Sequence, residues 1–314
     1  MRFVFVMDPL STVTHDKDTT FAFIKAAQGR GHASYHCLLR DLFIQDGEAW
    51  ASAQRVEILG EAPWIVLRDA PERLHLGDVD AVFMRKDPPF DRAYLYATLV
   101  LERARGKTLL INDPRGLRDA NEKLYALNFP EWTPRTLVTA HRDMIHDFTR
   151  DVGGVTMIKP LDGAGGSGVI QVKTGEKNAR SIVDMLTHEG RRLAIVQEFL
   201  PSVTAGDKRI LLLEGEPLGA ILRVPRSDDI RSNIHVGGNV VPTELTEHER
   251  AMVKAVAPRL QADGLFFVGL DVIGGRLTEV NVTSPTGIQE LGRFTNTRPS
   301  DKVIDWIETH ARKR

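Results

Sequence analysis

"MIKPLDGAGGSGVIQVK", residues 157–173, carries Gly163, Gly165 and Gly168 at the G-x-G-x-x-G spacing of a dinucleotide-binding turn. That fingerprint needs a strand feeding the glycines and a helix leaving them, because the helix N-terminus holds the pyrophosphate. Here "VTMIKPL" enters as a strand. "VIQVK" then leaves with apolar and polar residues alternating and with β-branched Val169, Ile170 and Val172, the pattern of a second strand. The glycines therefore cap a hairpin, and the Rossmann reading with its NAD ligand is set aside. A loop made wholly of small residues can turn several backbone N–H groups onto one anion, so phosphate is the expected ligand on another fold. The alternative is a hairpin turn that binds nothing.

On either side of this loop the sequence follows two different grammars. Upstream, strand and helix alternate: "RFVFVMD", helix "TTFAFIKAAQGRG", "SYHCLL", a hairpin turning at Asp46-Gly47, "VDAVFMR", helix "AYLYATLVLERARGK", then "TLLIN". That is an open α/β layer over residues 1–120. From about residue 121 antiparallel hairpins turn at the glycine loop, at "EGEP" (214–217) and at "GGR" (274–276). Between them lie helices "ARSIVDMLTHEG" and "TEHERAMVKAVAPRLQADG", the second opened by a Thr246-x-x-Glu249 capping box. The expected organisation is an α/β domain, 1–120, followed by an α+β domain, 121–314, with antiparallel sheets. Residues 226–239, "RSDDIRSNIHVGGN", show no periodicity and are long enough to suspect a functional loop.

Bulk properties exclude several function classes. With 314 residues, 42% of them hydrophobic, burial of a large core is not limiting. A formal net charge of −1, with both signs spread along the chain, offers no basic stripe for nucleic acid or for an anionic membrane. The one cysteine, Cys37, forms no intramolecular disulfide and reads as a packed strand residue, which favours the reducing cytoplasm. "FVFVM" is too short for a signal-peptide core, and no run approaches a membrane span. The ten histidines lack zinc-site spacing, and "RGKT" at 105–108 has Leu101 where a P-loop needs its first glycine. Partners are expected to be small molecules or copies of the same chain.

Chemistry is concentrated in "VGLDVIGGRLTEVNVTSP", 268–285. Glu279 and Asn281 stand two apart on one strand, so both hard oxygen donors face the same side, a half-site for Mg²⁺. Asp271 on the partner strand joins them only if a three-residue connection Gly274-Gly275-Arg276 or a bulge brings it opposite Glu279. A two-residue turn alone would send it to the other face. The alternative is an exposed polar strand face. Lys159 leads into the glycine loop, Lys123 lies in "NEKL", and Arg209 and Arg223 occupy the two strands of the "EGEP" hairpin. Lys159 and Arg209 sit within or beside apolar runs, so they are expected to meet anions. "AIVQEFLP", 194–201, reads as a strand ending at a proline, leaving backbone at Glu198, Phe199 and Leu200 free for an adenine edge.

Together "MDP" (7–9), "MRKDPPFD" (84–91), "NEKL" (121–124), "KPLDGAGGSG" (159–168), "GDKRIL" (206–211) and "VGLDVIGGRLTEVNVTSPTGI" (268–288) resemble bacterial glutathione synthetase of the ATP-grasp superfamily, essentially end to end. The resemblance implies a pre-ATP-grasp domain followed by a two-lobed ATP-grasp domain, with a nucleotide lobe at 121–200 and a metal and catalytic lobe at 201–314. It implies ligation of γ-glutamyl-cysteine to glycine through an acyl phosphate, with ATP cleaved to ADP and phosphate, by a cytoplasmic homotetramer. Lys123 and Lys159 would bind phosphates under the loop Gly163, Gly165, Gly166, Ser167 and Gly168. Gln197, Glu198, Phe199, Leu200 and Asp207 would hold the rest of the nucleotide. Asp271, Glu279 and Asn281 would hold Mg²⁺, two ions or Mn²⁺ in their place, with Arg209 and Arg223 facing the reacting groups. Arg85, Lys86, Asp87, Ser284, Pro285 and Thr286 would lie on the substrate side. Residues 226–239, with Arg231 and the Gly237-Gly238 hinge, would form a lid. Two positions depart from the family pattern: Ala164 stands where Met is frequent, and Asn239 where Arg is expected. The physical requirement agrees, because a carboxylate condenses with an amine only after its oxygen becomes a leaving group. The rival readings are another ATP-grasp carboxylate–amine ligase, for instance one that extends a protein tail, and a nucleotide-binding regulator without turnover.

Overall fold

The computed structural model describes residues 1–163, 165–225 and 239–311. The first 111 residues build a seven-stranded sheet: β1 (Arg2–Val6), β2 (Ala33–Cys37), β3 (Leu42–Gln45), β4 (Glu48–Ile58), β5 (Ile65–His75), β6 (Ala81–Met84) and β7 (Leu109–Ile111). Its order is β3-β4-β2-β1-β6-β7, with β5 paired to β4. The apolar run of β1 is buried on both faces because it lies between parallel neighbours β2 and β6. Helices α1 (Thr19–Gly29), α2 (Arg92–Leu101) and α3 (Pro114–Asp119) start at Asp18, Asp91 and Asp113, whose carboxylates cap Phe21, Tyr94 and Arg115 N–H. Asp46 and Gly47 turn β3 into β4 with φ of 52° and 80°, as the sequence predicts. The β4–β5 hairpin beyond that turn has no counterpart in the sequence reading.

A four-stranded sheet follows, ordered β10-β9-β11-β8, from β8 (Thr136–Thr139), β9 (Val155–Pro160), β10 (Ile170–Lys173) and β11 (Ala194–Glu198). Helices α4 (Arg142–Asp151) and α5 (Ala179–Leu186) cover it. β9 and β10 pair antiparallel, Ile158 opposite Ile170, so a strand and no helix follows the glycine loop.

The last sheet is ordered β14-β13-β12-β15-β16, from β12 (Asp207–Leu213), β13 (Glu216–Val224), β14 (Asn239–Thr243), β15 (Phe267–Ile273) and β16 (Arg276–Asn281). Helix α6 (Glu247–Ala262) begins with the expected capping box: Thr246 Oγ1 accepts from Glu249 N–H at 3.2 Å and Glu249 Oε2 accepts from Thr246 N–H at 2.8 Å. Helices α7 (Ile288–Thr295) and α8 (Pro299–Ala311) complete the described residues. Of the expected lid, Asn239 opens β14 opposite Val224, while Arg231, Gly237 and Gly238 lie outside the described residues, as does Ala164.

Two apolar cores are shared between the first and last sheets. Val4 and Val82 pack in one core with Ile210 and Leu270, and Phe23 and Phe83 in the other with Leu211 and Phe267. The buried amide of Asn112 joins the sheets, donating to the carbonyls of Phe267 (2.9 Å) and Val282 (2.7 Å) and accepting from Phe267 N–H (2.8 Å). The middle sheet keeps a separate core: Ile145, Ile158, Val172, Ala179, Val183, Ala194 and Val196.

Candidate active site

The face of the last sheet carries a charged row. Register pairs Arg209 of β12 with Asp271 of β15, and Asp271 with Glu279 of β16. Gly274 and Gly275 make a two-residue turn at φ of 56° and 78°, pairing Ile273 with Arg276 and Val272 with Leu277. The register then shifts between Asp271 and Val272, so a bulge at Thr278 returns Glu279 to a position opposite Asp271. Of the two geometries that the sequence left open, the bulge is the one that occurs. Thr278 Oγ1 donates to the Asp271 carbonyl at 3.1 Å at that point.

One step along the same face, Asp207 stands opposite Arg223. Asp271 is gripped by two guanidinium groups: Arg209 through Nε to Oδ1 and through Nη2 to Oδ2 at 2.9 Å, and Arg223 through Nη2 to Oδ2 at 3.0 Å. Arg223 Nη2 also donates to Asp207 Oδ2 at 2.6 Å. All four side chains are buried. Burial alone would raise the Asp271 carboxyl, but Arg209 and Arg223 together hold it well below the usual carboxylate range. Burial pushes Asp207 up to about 6 against the pull of Arg223, with the Asp271 charge adding to the rise. Lys159 Nζ stands 3.8 Å from Glu279 Oε1. The cations that the sequence expected to meet anions do so, and the anions are the protein's own.

Asp271 and Glu279 line two cavities at once. One, of about 100 Å³, runs under the middle sheet past Met157, Lys159, Gly166 and the segment Gln197–Leu200 to Asp207. Gln197 donates to Thr136 Oγ1 at 3.3 Å, Glu198 Oε1 accepts from Arg135 N–H at 2.9 Å, and Phe199 N–H bonds the Val155 carbonyl. No described backbone bond uses the Leu200 N–H, which suits an adenine ring edge. The other cavity, a cleft of about 690 Å³, adds Arg85, Asp87, Gly163, Gly165, Arg209, Arg223, Asn281 and the segment Ser284–Thr286. Buried polar atoms without a protein partner among the described residues gather around this cleft: Arg85 Nη1, Thr19 Oγ1 and Glu290 Oε2. A polar ligand would satisfy them. Arg85 is anchored by its remaining nitrogens, Nε to Thr20 Oγ1 and Nη2 to the Pro285 carbonyl, both 3.1 Å.

Several expected site residues stand apart from these cavities. Lys86 turns to Asp8, 3.0 Å away, and Ser167 and Gly168 line neither cavity. Lys123 donates to the Gly163 carbonyl and borders a third cavity. Glu122, Asp18, Thr19 and Glu290 border the cleft without having been singled out from the sequence. Nothing local in the sequence flags them.

The metal half-site fits the chemistry of its donors. Asn281 gives its amide N–H to the Gly269 carbonyl at 3.3 Å, which leaves its own carbonyl oxygen as an acceptor beside the Glu279 and Asp271 carboxylates. Such an all-oxygen set suits Mg²⁺.

Comparison with known proteins agrees with this arrangement. Residues 1–118 match the family model "Prokaryotic glutathione synthetase, N-terminal domain" and residues 122–296 match "Prokaryotic glutathione synthetase, ATP-grasp domain". The glutathione synthetase of Synechocystis sp. is 44% identical over 318 residues, covering 98% of this chain and 99% of that one. That of Parasynechococcus marenigrum is 46% identical over 310 residues, with 98% and 99% covered, and that of Vibrio cholerae 42% over 305, with 96% of each covered. Among solved structures, a D-cycloserine synthetase superposes with a TM-score of 0.67 at 16% identity (97% and 99% covered). A macrocyclase of Microcystis aeruginosa does so at 0.64 and 15% (96% and 99%), a likeness of fold alone. The chain belongs to the prokaryotic glutathione synthetase family, with its N-terminal domain followed by an ATP-grasp domain.

Proposed function

We propose that the protein joins γ-glutamyl-cysteine to glycine, with ATP cleaved to ADP and phosphate. The observation that carries this reading is the shared wall: Asp271 and Glu279 border both the cavity along Gln197–Leu200 and the polar cleft, with Arg209 and Arg223 beside them. A phosphate tail in one cavity and a carboxylate in the other would meet there. The dipeptide's carboxylate oxygen attacks the terminal phosphorus, ADP departs, and an acyl phosphate results. Glycine's free amine then attacks the carbonyl carbon, phosphate leaves with the former carboxylate oxygen, and the amine loses a proton.

Lys123, Lys159 and the backbone N–H groups of the glycine loop hold the phosphates. Arg209 and Arg223 offset charge on the transferred group and then on the tetrahedral oxyanion, which requires that they share their grip on Asp271 with substrate. Asp271, Glu279 and Asn281 would hold Mg²⁺, two ions or Mn²⁺ in their place, and the metal would supply charge neutralisation of the phosphate oxygens. Arg85, Asp87 and the Ser284–Thr286 segment orient the dipeptide. Residues 226–239 act as the lid that keeps water from the acyl phosphate. A homotetramer in the cytoplasm goes with the same reading, and no described helix is long and apolar enough to cross a membrane.

The test is ADP and peptide formation with Mg²⁺ and ATP across a panel of γ-glutamyl dipeptides, amine acceptors and protein C-termini. Equal amounts of ADP and γ-glutamyl-cysteinyl-glycine, with no product from protein tails, are expected. Turnover only with a peptide tail would transfer the assignment to another ATP-grasp ligase, and no turnover with any pair would favour a regulator.

A further inference from the structure

We infer that Glu122 is the seat of the acceptor's ammonium group, at the mouth of a side cavity of a size for a small amino acid. Glu122 borders both the main cleft and the third cavity, of about 110 Å³. One carboxylate oxygen is fixed: Oε1 accepts from Val282 N–H (3.1 Å), Thr283 N–H (3.2 Å) and Thr283 Oγ1 (2.8 Å). The other, Oε2, accepts no hydrogen bond among the described residues, and no described cation pairs with it.

The other carboxylates of the cleft differ: Asp271 is held by Arg209 and Arg223, Glu279 stands beside Lys159, Asp18 caps its helix, Asp87 is given to the dipeptide, and Glu290, with Oε1 on Arg293 at 3.3 Å and Oε2 open, does not border the third cavity. A held carboxylate with one open oxygen, beside the place where two substrates must meet, suits a group carrying three N–H donors. Burial raises the Glu122 carboxyl, with the Glu279 charge adding to the rise and the Thr283 hydrogen bonds and the Lys123 charge opposing it.

The cavity fits the rest of a small zwitterion. Arg118, paired with Glu102, and Lys123, bonded to the Gly163 carbonyl, bring positive charge to its wall, while Phe90, Leu117 and Leu161 line it with apolar surface. Its volume suits a few heavy atoms, since a single water needs about 10–15 Å³ on the same measure.

The inference rests on glycine being the acceptor, and the experiment separates the two. Glycine saturation is measured for wild type, E122Q and E122D at saturating ATP and dipeptide, alongside Mn²⁺ titration by electron paramagnetic resonance with ATP present. Wild-type turnover with glycine checks the reaction itself. Loss of the charged hydrogen bond in E122Q is expected to raise KM for glycine roughly 10- to 100-fold. KM for ATP and dipeptide and the Mn²⁺ affinity should stay put, and E122D should recover part of the loss. The amide oxygen introduced by E122Q can still accept from Thr283, so the fold is expected to survive, and the melting temperature checks it. Leu117→Ala leaves Glu122 intact and should raise use of alanine relative to glycine. An unchanged glycine KM in E122Q, or weakened Mn²⁺ binding with glycine KM unaltered, overturns the assignment, as does an unchanged alanine-to-glycine preference in L117A.

Discussion

The middle sheet and the last sheet share one cleft but are built differently. The middle sheet, with Lys159, the glycine loop and the Gln197–Leu200 segment, rests on a core of its own. The last sheet, with Arg209, Arg223, Asp271 and Glu279, shares both of its cores with the N-terminal sheet and is joined to it through Asn112. Parts proposed to grip the nucleotide therefore sit on a body with packing of its own. Parts proposed to act on the reacting atoms sit on one packed against the N-terminal sheet. Substitutions should respond accordingly.

The largest effect is expected for Arg209→Met. It strips Asp271 of its bidentate partner in a buried setting and leaves Arg223 to serve two carboxylates. Turnover should fall by about 10²–10³ or more, and denaturant unfolding should show a loss of about 3–5 kcal/mol from a broken buried pair. A variant of near-normal stability and turnover would remove the charged row from the chemistry.

Gly269→Ala probes the same body by displacement. A Cβ there would stand 2.8 Å from Arg209 Cδ and 3.0 Å from Pro285 Cβ, so the arginine must move. A displacement of this kind should lower kcat by about 10²-fold while far-ultraviolet dichroism stays native. Full activity would mean that Arg209 has slack that the packing does not suggest.

Ile158→Ala makes the opposite experiment. Ile158 is fully buried in the middle core, so its truncation should cost about 2–5 kcal/mol. Hydrogen exchange should place that loss in β8–β11 while protection of β12 and β15 is unchanged. Equal loosening of both sheets would erase the distinction between them.

The smallest effect belongs to Cys37, inside the core shared by the first and last sheets. Burial, with the Asp41 charge adding to it, pushes its thiol up to about 12. The folded thiol stays protonated while an unfolded one ionises near pH 9. This residue therefore contributes nothing to pH dependence at neutrality and lowers stability by about 1.4 kcal/mol per pH unit between roughly 9 and 12. A thiol reagent at pH 8 should find no reactive group until denaturant is added. Prompt labelling of the native protein would contradict the burial.

What the sequence made legible follows local physics. Alternation at 169–173 identified β10 and removed the helix that a Rossmann turn needs, and Thr246 with Glu249 marked the start of α6. Glycine-containing stretches placed turns at 46–47 and within 274–276, where the structure narrows the second to Gly274-Gly275. Strand β5 escaped because most of its residues are exposed, so it carries no two-faced alternation. The bulge at Thr278 depends on which residues the partner strand presents, which no local pattern states. Glu122 was not singled out, because the contacts that hold its carboxylate come from Val282 and Thr283, some 160 residues away. The two shared cores were illegible for the same reason, since separate apolar strands do not announce which sheet they will meet.

The central claim is that the dipeptide carboxylate is activated by phosphorylation in the place where the two cavities share Asp271 and Glu279. It is tested most directly with γ-glutamyl-cysteine labelled with ¹⁸O in the carboxylate that accepts glycine. In-line transfer to that oxygen, followed by amine attack on carbon, predicts that each released phosphate carries one labelled oxygen from the dipeptide, in step with peptide formed. Phosphate free of label, its new oxygen drawn from water, would contradict the account.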